Sequence, residues 1–384
     1  MSQFNFESTP KIICEQGCAE RLGEISKSLG ITRLFLVTDA GLVQARLLEG
    51  ALASLAASGL VVTVFSDVLA DPPELSVQAA VDAALSVGAN GVVGFGGGSS
   101  LDTAKLVALL ARTPQALPDI YGVGLARGPR LPLIQVPTTA GTGSEVTPIS
   151  ILTTPGQEKK GVVSSLLYPD IAMLDSRLTL GLPPAITAMT GVDAMVHAIE
   201  AFTSRVKKNP MSDVLAIKAL QLLYTNLPGA VNDGQNGSVR EAMLLGSLLA
   251  GMAFANAPVG AVHALAYPLG GHCHLPHGLS NSLVLLQVLA FNLPVAQTLY
   301  AELGRAILPH LASVDDIAAA TAFVAALRER VASMPYAQTL RDAGVQEFDL
   351  PMLAQEAMKV QRLLVNNPRD VTYEDALAMY RAAY

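Results

Sequence analysis

The sequence predicts an α/β fold with a parallel sheet in the first half of the chain and an all-helical fold in the second half. In the first half, short apolar runs alternate with Ala-rich helical patterns, which is typical of a parallel sheet covered by helices. After about Pro183 the strand pattern disappears and only helical patterns follow. We therefore expect two domains, residues 1–183 and residues 184–384, joined by a short hinge at most.

The first domain contains four short apolar runs that are predicted as strands because they alternate with Ala-rich helical patterns, and the second run is rich in β-branched and aromatic residues. They cover residues 34–38, 61–65, 91–95 and 133–136. Helices are expected between them, over residues 76–87 and 101–110.

The second domain is predicted to consist of helices separated by Pro, Gly and Asn. The helical patterns cover residues 186–204, 211–224, 239–253, 314–334 and 374–383. Breaks are expected at Pro228-Gly229 and at Asn232-Asp233-Gly234. The uncharged stretch 242–262 is interpreted as a buried helix followed by a loop, and not as a membrane span, because it contains Asn256 and Pro258.

Composition limits the possible functions. The chain has 384 residues and 51% of them are apolar, enough for a large core. It has 25 basic against 32 acidic residues, which argues against a nucleic-acid surface. Three cysteines do not form a disulfide framework, so small buried or half-buried thiols are expected. Reduced thiols and a polar N terminus without a signal-peptide pattern indicate a cytoplasmic protein.

A glycine-rich loop, Gly96-Gly97-Gly98-Ser99-Ser100, lies between a predicted strand and a predicted helix. Glycine allows the backbone to approach a ligand closely, and free N–H groups at a helix start can hold a pyrophosphate. Ser99 or Ser100 could cap the helix. The spacing is not GxGxxG, because Ser99 stands where the last glycine is expected, and an ordinary strand–turn–helix junction explains the pattern about as well.

A second loop with several hydroxyl groups follows the next predicted strand. It contains Thr138, Thr139 and Thr142 between glycines, and such a loop can bind phosphate and ribose oxygens. The alternative is a surface loop whose hydroxyls bond their own backbone. Two loops of this kind after neighbouring strands favour a nucleotide.

Asp39 lies at the end of the first predicted strand. A carboxylate there can accept hydrogen bonds from ribose hydroxyls and would repel a 2′-phosphate, which favours NAD over NADP. The sequence Asp39-Ala40-Gly41 is equally suited to an ordinary turn. The residue alone leaves both interpretations open.

The second domain contains a candidate metal site. Asp193 and His197 are four residues apart, which places them on one face of a helix. His263 lies in another apolar helical pattern, and His277 follows in a predicted turn. One carboxylate and three imidazoles suit Fe(II) or Zn(II). Such an ion can polarise an alcohol or carbonyl oxygen, and a nicotinamide would then carry the hydride.

Four motifs together resemble the iron-containing, group III alcohol dehydrogenases, from about Phe6 to the C terminus. They are GGGSSLDTAK (96–105), PTTAGTGSEVT (137–147), GVDAMVHAIEAF (191–202) and VHALAYPLGGHCHLPHGLSN (262–281). The resemblance implies an N-terminal dinucleotide-binding domain and an all-α C-terminal domain with the metal in the cleft. The implied metal ligands are Asp193, His197, His263 and His277. The implied cofactor-binding residues are Asp39, Gly97, Gly98, Ser99, Asp102, Thr138, Thr139, Thr142, Thr147 and Lys160.

One position departs from the family pattern. The family usually has a second histidine in its HALAH motif, and this chain has Tyr267 there. His272 and His274 are additional imidazoles nearby. Tyr267 and His272 are therefore candidates for moving a proton. The simpler alternatives are that Tyr267 fills space on its helix and that the two histidines lie in a solvated loop.

The resulting prediction is a metal-dependent, NAD(H)-linked alcohol dehydrogenase or aldehyde reductase. Its partner would be a small alcohol or aldehyde, and the chain would form a homodimer or higher homo-oligomer without a membrane or nucleic-acid partner. A hydroxyacid–oxoacid transhydrogenase is a related alternative. A maleylacetate reductase fits less well because the four-ligand set is complete. A metallohydrolase is more distant, since no general base is evident and both loops would have no role.

Overall fold

The computed structural model describes residues 3–384, which form two compact units. One unit, here called the α/β unit, is Glu7–Gly181. The other, here called the helical unit, is Leu182–Tyr384 together with residues 3–6. The predicted fold class is confirmed, because parallel strands with helices occupy the first part and helices occupy the second.

The α/β unit is organised around a six-stranded parallel sheet within its described residues. The strands of the unit are β1 (Lys11–Cys14), β2 (Arg33–Val37), β3 (Val61–Phe65), β4 (Gly91–Gly96), β5 (Gly122–Val123), β6 (Leu133–Pro137), β7 (Ile149–Thr153), β8 (Lys159–Val163) and β9 (Ile171–Leu174). The large sheet has the order β1-β9-β6-β4-β2-β3, and a small sheet has the order β5-β8-β7.

Helices cover both faces of the large sheet. The helices of the unit are α1 (Leu22–Ser28), α2 (Ala40–Gln44), α3 (Glu49–Ala57), α4 (Glu74–Ser86), α5 (Gly98–Leu110) and α6 (Leu117–Ile120). Alternate residues of β2 enter different cores, since Phe35 packs in one buried cluster and Leu34 in the other. A strand buried on both faces must be apolar throughout, which explains the continuous apolar runs in the sequence.

The helical unit contains the long helices. They are α7 (Pro184–Thr203), α8 (Pro210–Asn232), α9 (Gly237–Asn256), α10 (Ala261–Cys273), α11 (His277–Ile307), α12 (Asp316–Ala332), α13 (Leu350–Lys359), α14 (Gln361–Leu364) and α15 (Tyr373–Ala383). Helices α7, α8 and α9 pack against one another, and α11 packs against α7, α10 and α12.

Several local predictions are wrong. Helix α8 continues through Pro228 to Asn232, because its apolar face, including Leu227 and Ala230, is buried and outweighs the hydrogen bond that proline removes. His277 is not in a turn but begins α11. The strands β1, β5, β7, β8 and β9 were not predicted.

The cysteines are free, and only two of the three lie as predicted. Cys18 is buried and Cys273 is half-buried, but Cys14 is exposed on the edge strand β1. Burial raises the pKa of the Cys18 thiol to about 12, so this group stays protonated at neutral pH.

Helices α8, α9 and α11 are long and apolar enough to cross a membrane by length and composition. In the helical unit each packs on other helices, and more than half of the most apolar segment of α9 is buried. The predicted helix and loop within residues 242–262 are present, because α9 ends at Asn256 and α10 begins at Ala261.

Candidate metal centre and nucleotide loops

Helix α7 carries three polar side chains on one buried face. Asp193, His197 and Glu200 follow the spacing of four and three residues that keeps side chains on the same side of a helix. All three are buried in an otherwise apolar helix. Buried ionisable groups require partners, and these partners come from α10 and α11.

The four predicted ligands converge. One donor atom from each of Asp193, His197, His263 and His277 lies within 4.8 Å of the others. The Nε2 atoms of His197 and His263 are 3.0 Å apart. The Nε2 atoms of His263 and His277 lie 3.9 and 3.8 Å from Asp193 Oδ1. His277 is half-buried, so solvent can reach the cluster from the side on which His277 lies.

Asn281 lies in the middle of this cluster and was not singled out from the sequence. Its Nδ2 donates to Asp193 Oδ1 at 2.6 Å and lies 3.3 and 3.2 Å from the Nε2 atoms of His263 and His277. Its Oδ1 is buried without a hydrogen-bond partner among the described residues. The spacing of four residues from His277 on α11 is the signal that could have identified it.

Glu200 supports His263 from behind the cluster. Its Oε2 lies 2.6 Å from His263 Nδ1, and its Oε1 accepts the Val262 N–H at 2.7 Å. A carboxylate at Nδ1 keeps the proton on that nitrogen, so the Nε2 lone pair faces the cluster. Glu200 was also missed, although its position three residues after His197 places it on the same helix face.

The donor set fits a divalent ion. Burial disfavours the Asp193 carboxylate, but the imidazoles of His197, His277 and His263 and the Asn281 amide hold the pKa of Asp193 below its usual value. The site is thus built for an anionic oxygen among imidazole nitrogens. Fe(II) and Zn(II) sites in proteins commonly combine carboxylate oxygen and imidazole nitrogen donors. A second carboxylate often holds one of the imidazoles, as Glu200 holds His263 here.

Tyr267 lies beside the cluster, one helical turn after His263 on α10. Its ring centroid is 6.2 Å from that of His277, and its hydroxyl accepts from Arg362 Nη2 at 3.4 Å. His272 is exposed in the last turn of α10, and His274 is its C-cap with a φ of 55°. The expected solvated loop is therefore a helix end.

The glycine-rich loop of the α/β unit lies where expected, but its serines do not cap the helix. Helix α5 begins at Gly98 with Gly97 as N-cap, and no side chain caps it. Ser99 Oγ instead accepts the Asp71 N–H at 3.2 Å. The helix therefore starts earlier than predicted, and its N-cap makes no side-chain hydrogen bond among the described residues.

The two loops of the α/β unit touch each other. The Thr138 N–H donates to Gly96 O at 3.0 Å. A Cβ on Gly98 would lie 2.8 Å from Thr142 Cγ2, so only glycine fits there without a shift. Thr139 and Thr142 are half-buried, whereas Thr138 and Thr147 are buried.

Asp102 and Lys105 join α5 to the second loop. Asp102 accepts from Ser144 Oγ at 2.5 Å and from the Ile151 N–H at 2.9 Å. The fully buried Lys105 donates to Ser144 Oγ at 2.8 Å, to Thr147 Oγ1 at 3.2 Å and to a backbone carbonyl. Burial lowers the pKa of Lys105, opposed by Asp102. Lys105 was not identified from the sequence, although it ends the first motif.

Asp39 and Lys160, the remaining predicted cofactor residues, have local partners. Asp39 is the N-cap of α2, and its Oδ1 accepts the Leu42 N–H at 3.1 Å. Lys160 is exposed on β8 and pairs with Glu158 at 2.8 Å. One of the two Asp39 carboxylate oxygens therefore makes the local turn contact that the sequence allowed.

Comparison with known proteins identifies the family. Residues 9–176 match the family described as iron-containing alcohol dehydrogenase, and residues 187–384 match the Fe-containing alcohol dehydrogenase family, C-terminal. The probable alcohol dehydrogenase EutG of Salmonella typhimurium is 38% identical, over 98% of this chain and 94% of its own.

Two solved structures have the same fold over the whole chain. A 1,3-propanediol oxidoreductase has a TM-score of 0.95 and 33% identity, covering 100% of both chains. The sulfoacetaldehyde reductase of Bifidobacterium kashiwanohense, solved in complex with NAD+, has a TM-score of 0.87 and 31% identity, covering 100% of this chain and 99% of its own. The chain thus belongs to the iron-containing alcohol dehydrogenase family and is an oxidoreductase of that family.

Proposed function

We propose that the chain interconverts short aldehydes and alcohols with NAD(H) at a centre that holds Fe(II), with Zn(II) as the alternative. The convergence of four ligand atoms within 4.8 Å carries the proposal. When bound, a divalent ion at this centre polarises the substrate oxygen, and NAD(H) carries the hydride. One carboxylate and three imidazoles are donors that both ions accept.

The protein side chains around the centre orient the donors and cover one of them with an apolar ring. Glu200 fixes the tautomer of His263, and Asn281 holds the Asp193 carboxylate. The ring of Phe254 stacks on His197 with centroids 4.4 Å apart, so an apolar surface covers that ligand. Donors that are already fixed before the substrate binds require little reorganisation during the reaction.

The two loops of the α/β unit are proposed to hold the pyrophosphate of NAD(H). The uncapped start of α5 leaves N–H groups for an anion, and Thr139 and Thr142 supply accessible hydroxyls. The second carboxylate oxygen of Asp39 would accept a hydrogen bond from the ribose, and Lys160 would release Glu158 to bind the cofactor. Asp102 and Thr147 act by holding the second loop in place.

Tyr267 and His272 are proposed to complete the proton route between the substrate and solvent. Tyr267 is half-buried beside His277, and His272 is exposed further along the same helix. A phenol hydroxyl can accept and donate in the same chain of hydrogen bonds, which a proton relay requires.

The substrate is proposed to be a short, oxygen-rich aldehyde or alcohol. Relatives named for 1,3-propanediol and for sulfoacetaldehyde support this size. We further propose a cytoplasmic homodimer or higher homo-oligomer without a membrane or nucleic-acid partner. The excess of 32 acidic over 25 basic residues supports the absence of a nucleic-acid partner. Recovery of the expressed chain from the membrane fraction after ultracentrifugation would contradict this part.

The proposed function is tested with protein purified without chelator. We expect about one Fe or Zn per chain and metal-dependent oxidation of NADH by short aldehydes, lost on demetallation and restored by Fe(II). Full activity of a demetallated sample would overturn the proposal. Exchange between a hydroxyacid and an oxoacid without free NADH would favour the transhydrogenase, and ester hydrolysis without NAD would favour the metallohydrolase.

A further inference from the structure

Arg362 is held in a fixed position next to helix α10. It lies in α14, whose residues Leu363 and Leu364 are buried. The amide of the buried Asn366 donates to Arg362 O at 3.0 Å and to Val259 O at 2.9 Å. Because Val259 leads directly into α10, this amide ties the backbone of Arg362 to the helix that carries His263.

The Arg362 side chain extends towards the metal centre. Its Nη2 donates to Tyr267 Oη at 3.4 Å, and its Cζ lies 5.8 Å from the Tyr267 ring centroid. The Tyr267 ring also lies beside His277, a metal ligand in the proposed function, with ring centroids 6.2 Å apart. The guanidinium is exposed, and no carboxylate of residues 3–384 forms an ion pair with it.

The charge balance makes this arginine stand out. The two carboxylates at the centre, Asp193 and Glu200, match the double charge of a divalent ion, and the imidazoles are neutral as ligands. Arg362 therefore places a positive charge beside Tyr267 and the half-open side of the cluster, in a chain with a net charge of −7.

We propose that Arg362 binds an anionic head group of the substrate, a carboxylate or sulfonate carried by a short aldehyde or its alcohol. The planar guanidinium presents parallel N–H donors that match both groups, and Tyr267 holds it in place. This inference rests on the proposed function, since it names the substrate class of the same site.

The test compares anionic with neutral aldehydes in the metal-loaded enzyme. The probes are 4-oxobutanoate against butanal, and 2-oxoethanesulfonate against propanal. In Arg362→Gln, the ratio of kcat/KM for the anionic to the neutral aldehyde should fall by about ten-fold or more, because a charge-assisted hydrogen bond is lost. Arg362→Lys should restore part of the ratio. The pair with the larger loss shows whether carboxylate or sulfonate is recognised.

Arg341 offers a matched control. It is also an exposed arginine of the helical unit whose Cζ lies over a tyrosine ring, 4.5 Å from the Tyr384 centroid. Arg341→Gln should leave the ratio unchanged. As a measurement independent of turnover, calorimetry with 4-hydroxybutanoate in the absence of NAD should show weaker binding in Arg362→Gln.

The outcomes separate the two proposals. An equal ratio and equal calorimetric affinity in the wild type and Arg362→Gln, with butanal still reduced, would overturn the inference and leave the proposed function intact. No reduction of any aldehyde by the metal-loaded wild type would overturn the proposed function. Calorimetry would then still decide whether Arg362 binds the anion.

Discussion

At the scale of single residues, the chemistry of the helical unit depends on side chains that are individually unremarkable in the sequence. Asp193, His197 and Glu200 follow from the periodicity of α7, but each acquires its role only from a partner on another helix. The same holds for Tyr267, whose hydroxyl meets Arg362. Removing one partner should therefore alter a specific measurable property of the centre.

Removal of one imidazole ligand tests the metal centre. His277→Ala leaves three donors and an open side, so we expect metal content to fall well below one ion per chain and turnover to be lost. Metal analysis by mass spectrometry together with NADH oxidation measures both. His310→Ala is the control, since His310 is exposed and outside the cluster. If the His277→Ala enzyme kept its metal and its activity, His277 would not be a metal ligand.

Neutralising Glu200 tests the support of His263. Glu200→Gln keeps the size of the side chain but removes the negative charge at Nδ1, so we expect metal affinity to fall by about 10- to 100-fold. Competition with a fluorescent zinc chelator measures the affinity. Nitrogen-15 NMR of the zinc-loaded protein should show a changed His263 tautomer. Glu302→Gln, an exposed glutamate on α11, should change neither property. Unaltered affinity and tautomer in Glu200→Gln would contradict the role.

Tyr267 is tested by paired substitutions with full pH–rate profiles. If the hydroxyl moves a proton, Tyr267→Phe should lower kcat by about ten-fold or more, and Tyr267→His should restore it with a profile shifted towards lower pH. A phenol ordinarily titrates near 10 and an imidazole near 6.5, which gives the direction of that shift. An unchanged profile of Tyr267→Phe at matched metal content would support the space-filling interpretation.

At the scale of elements, the α/β unit places two loops side by side because β4 and β6 are neighbours in the parallel sheet. The carboxyl ends of parallel strands lie at one edge, so the loops that follow them meet there. Gly97 and Gly98 illustrate two different reasons for glycine in one loop. A Cβ on Gly98 would collide with Thr142, whereas a Cβ on Gly97 would lie 3.6 Å from its nearest neighbour, Thr139.

The two glycines should therefore respond differently to alanine. Gly97→Ala adds a methyl group with ordinary contacts at a φ of −77°, so the melting temperature should change little while NADH affinity falls. Gly98→Ala should lower both the melting temperature and the NADH affinity, because the Thr142 side chain must move to make room for the added methyl group. Thermal melts and NADH fluorescence titrations separate the effects. Gly181→Ala, with no atom within 4 Å of the added Cβ, controls for the loss of a glycine. Normal NADH affinity in Gly97→Ala would remove this loop from the cofactor site.

At the scale of the whole molecule, stability should depend on pH through Glu145. This carboxyl is buried, its Oε1 has no hydrogen-bond partner among the described residues, and burial raises its pKa to about 7 from an ordinary 4.5. Between about pH 4.5 and 7 the folded chain therefore keeps a proton that the unfolded chain releases. Stability contributed by this group is present below pH 4.5 and is lost as the pH rises to about 7.

Replacing Glu145 by glutamine should remove this dependence. We expect the free energy of unfolding of Glu145→Gln to decline less than that of the wild type between pH 4.5 and 8, by on the order of 3 kcal/mol, since the pKa of Glu145 is about 7 in the folded chain against an ordinary 4.5 and one pKa unit corresponds to about 1.4 kcal/mol. Urea titrations across this pH range measure the difference. Glu24→Gln, at an exposed glutamate, should follow the wild type. Parallel pH dependences of the wild type and Glu145→Gln would contradict the buried, proton-binding state of Glu145.

Local sequence predicted the strands β2, β3, β4 and β6 and several of the long helices, and it singled out the four candidate metal ligands that the structure brings together. Strand β3 has the predicted bounds, and Asp193 and His197 share a helix face because a spacing of four residues suffices. The predictions that failed are local ones that packing overruled. Pro228 does not end α8, and Ser99 bonds Asp71 instead of capping α5.

Tertiary structure alone decided which distant segments meet. Glu200 and His263 are 63 positions apart, and Arg362 and Tyr267 are 95 positions apart. Periodicity describes how side chains are arranged within one helix or strand, and it contains no information on which other element will face them. The strand order, the support of His263 and the cation beside Tyr267 therefore followed only from the packing of whole helices and strands, because burial of their apolar faces fixes which polar groups are brought together.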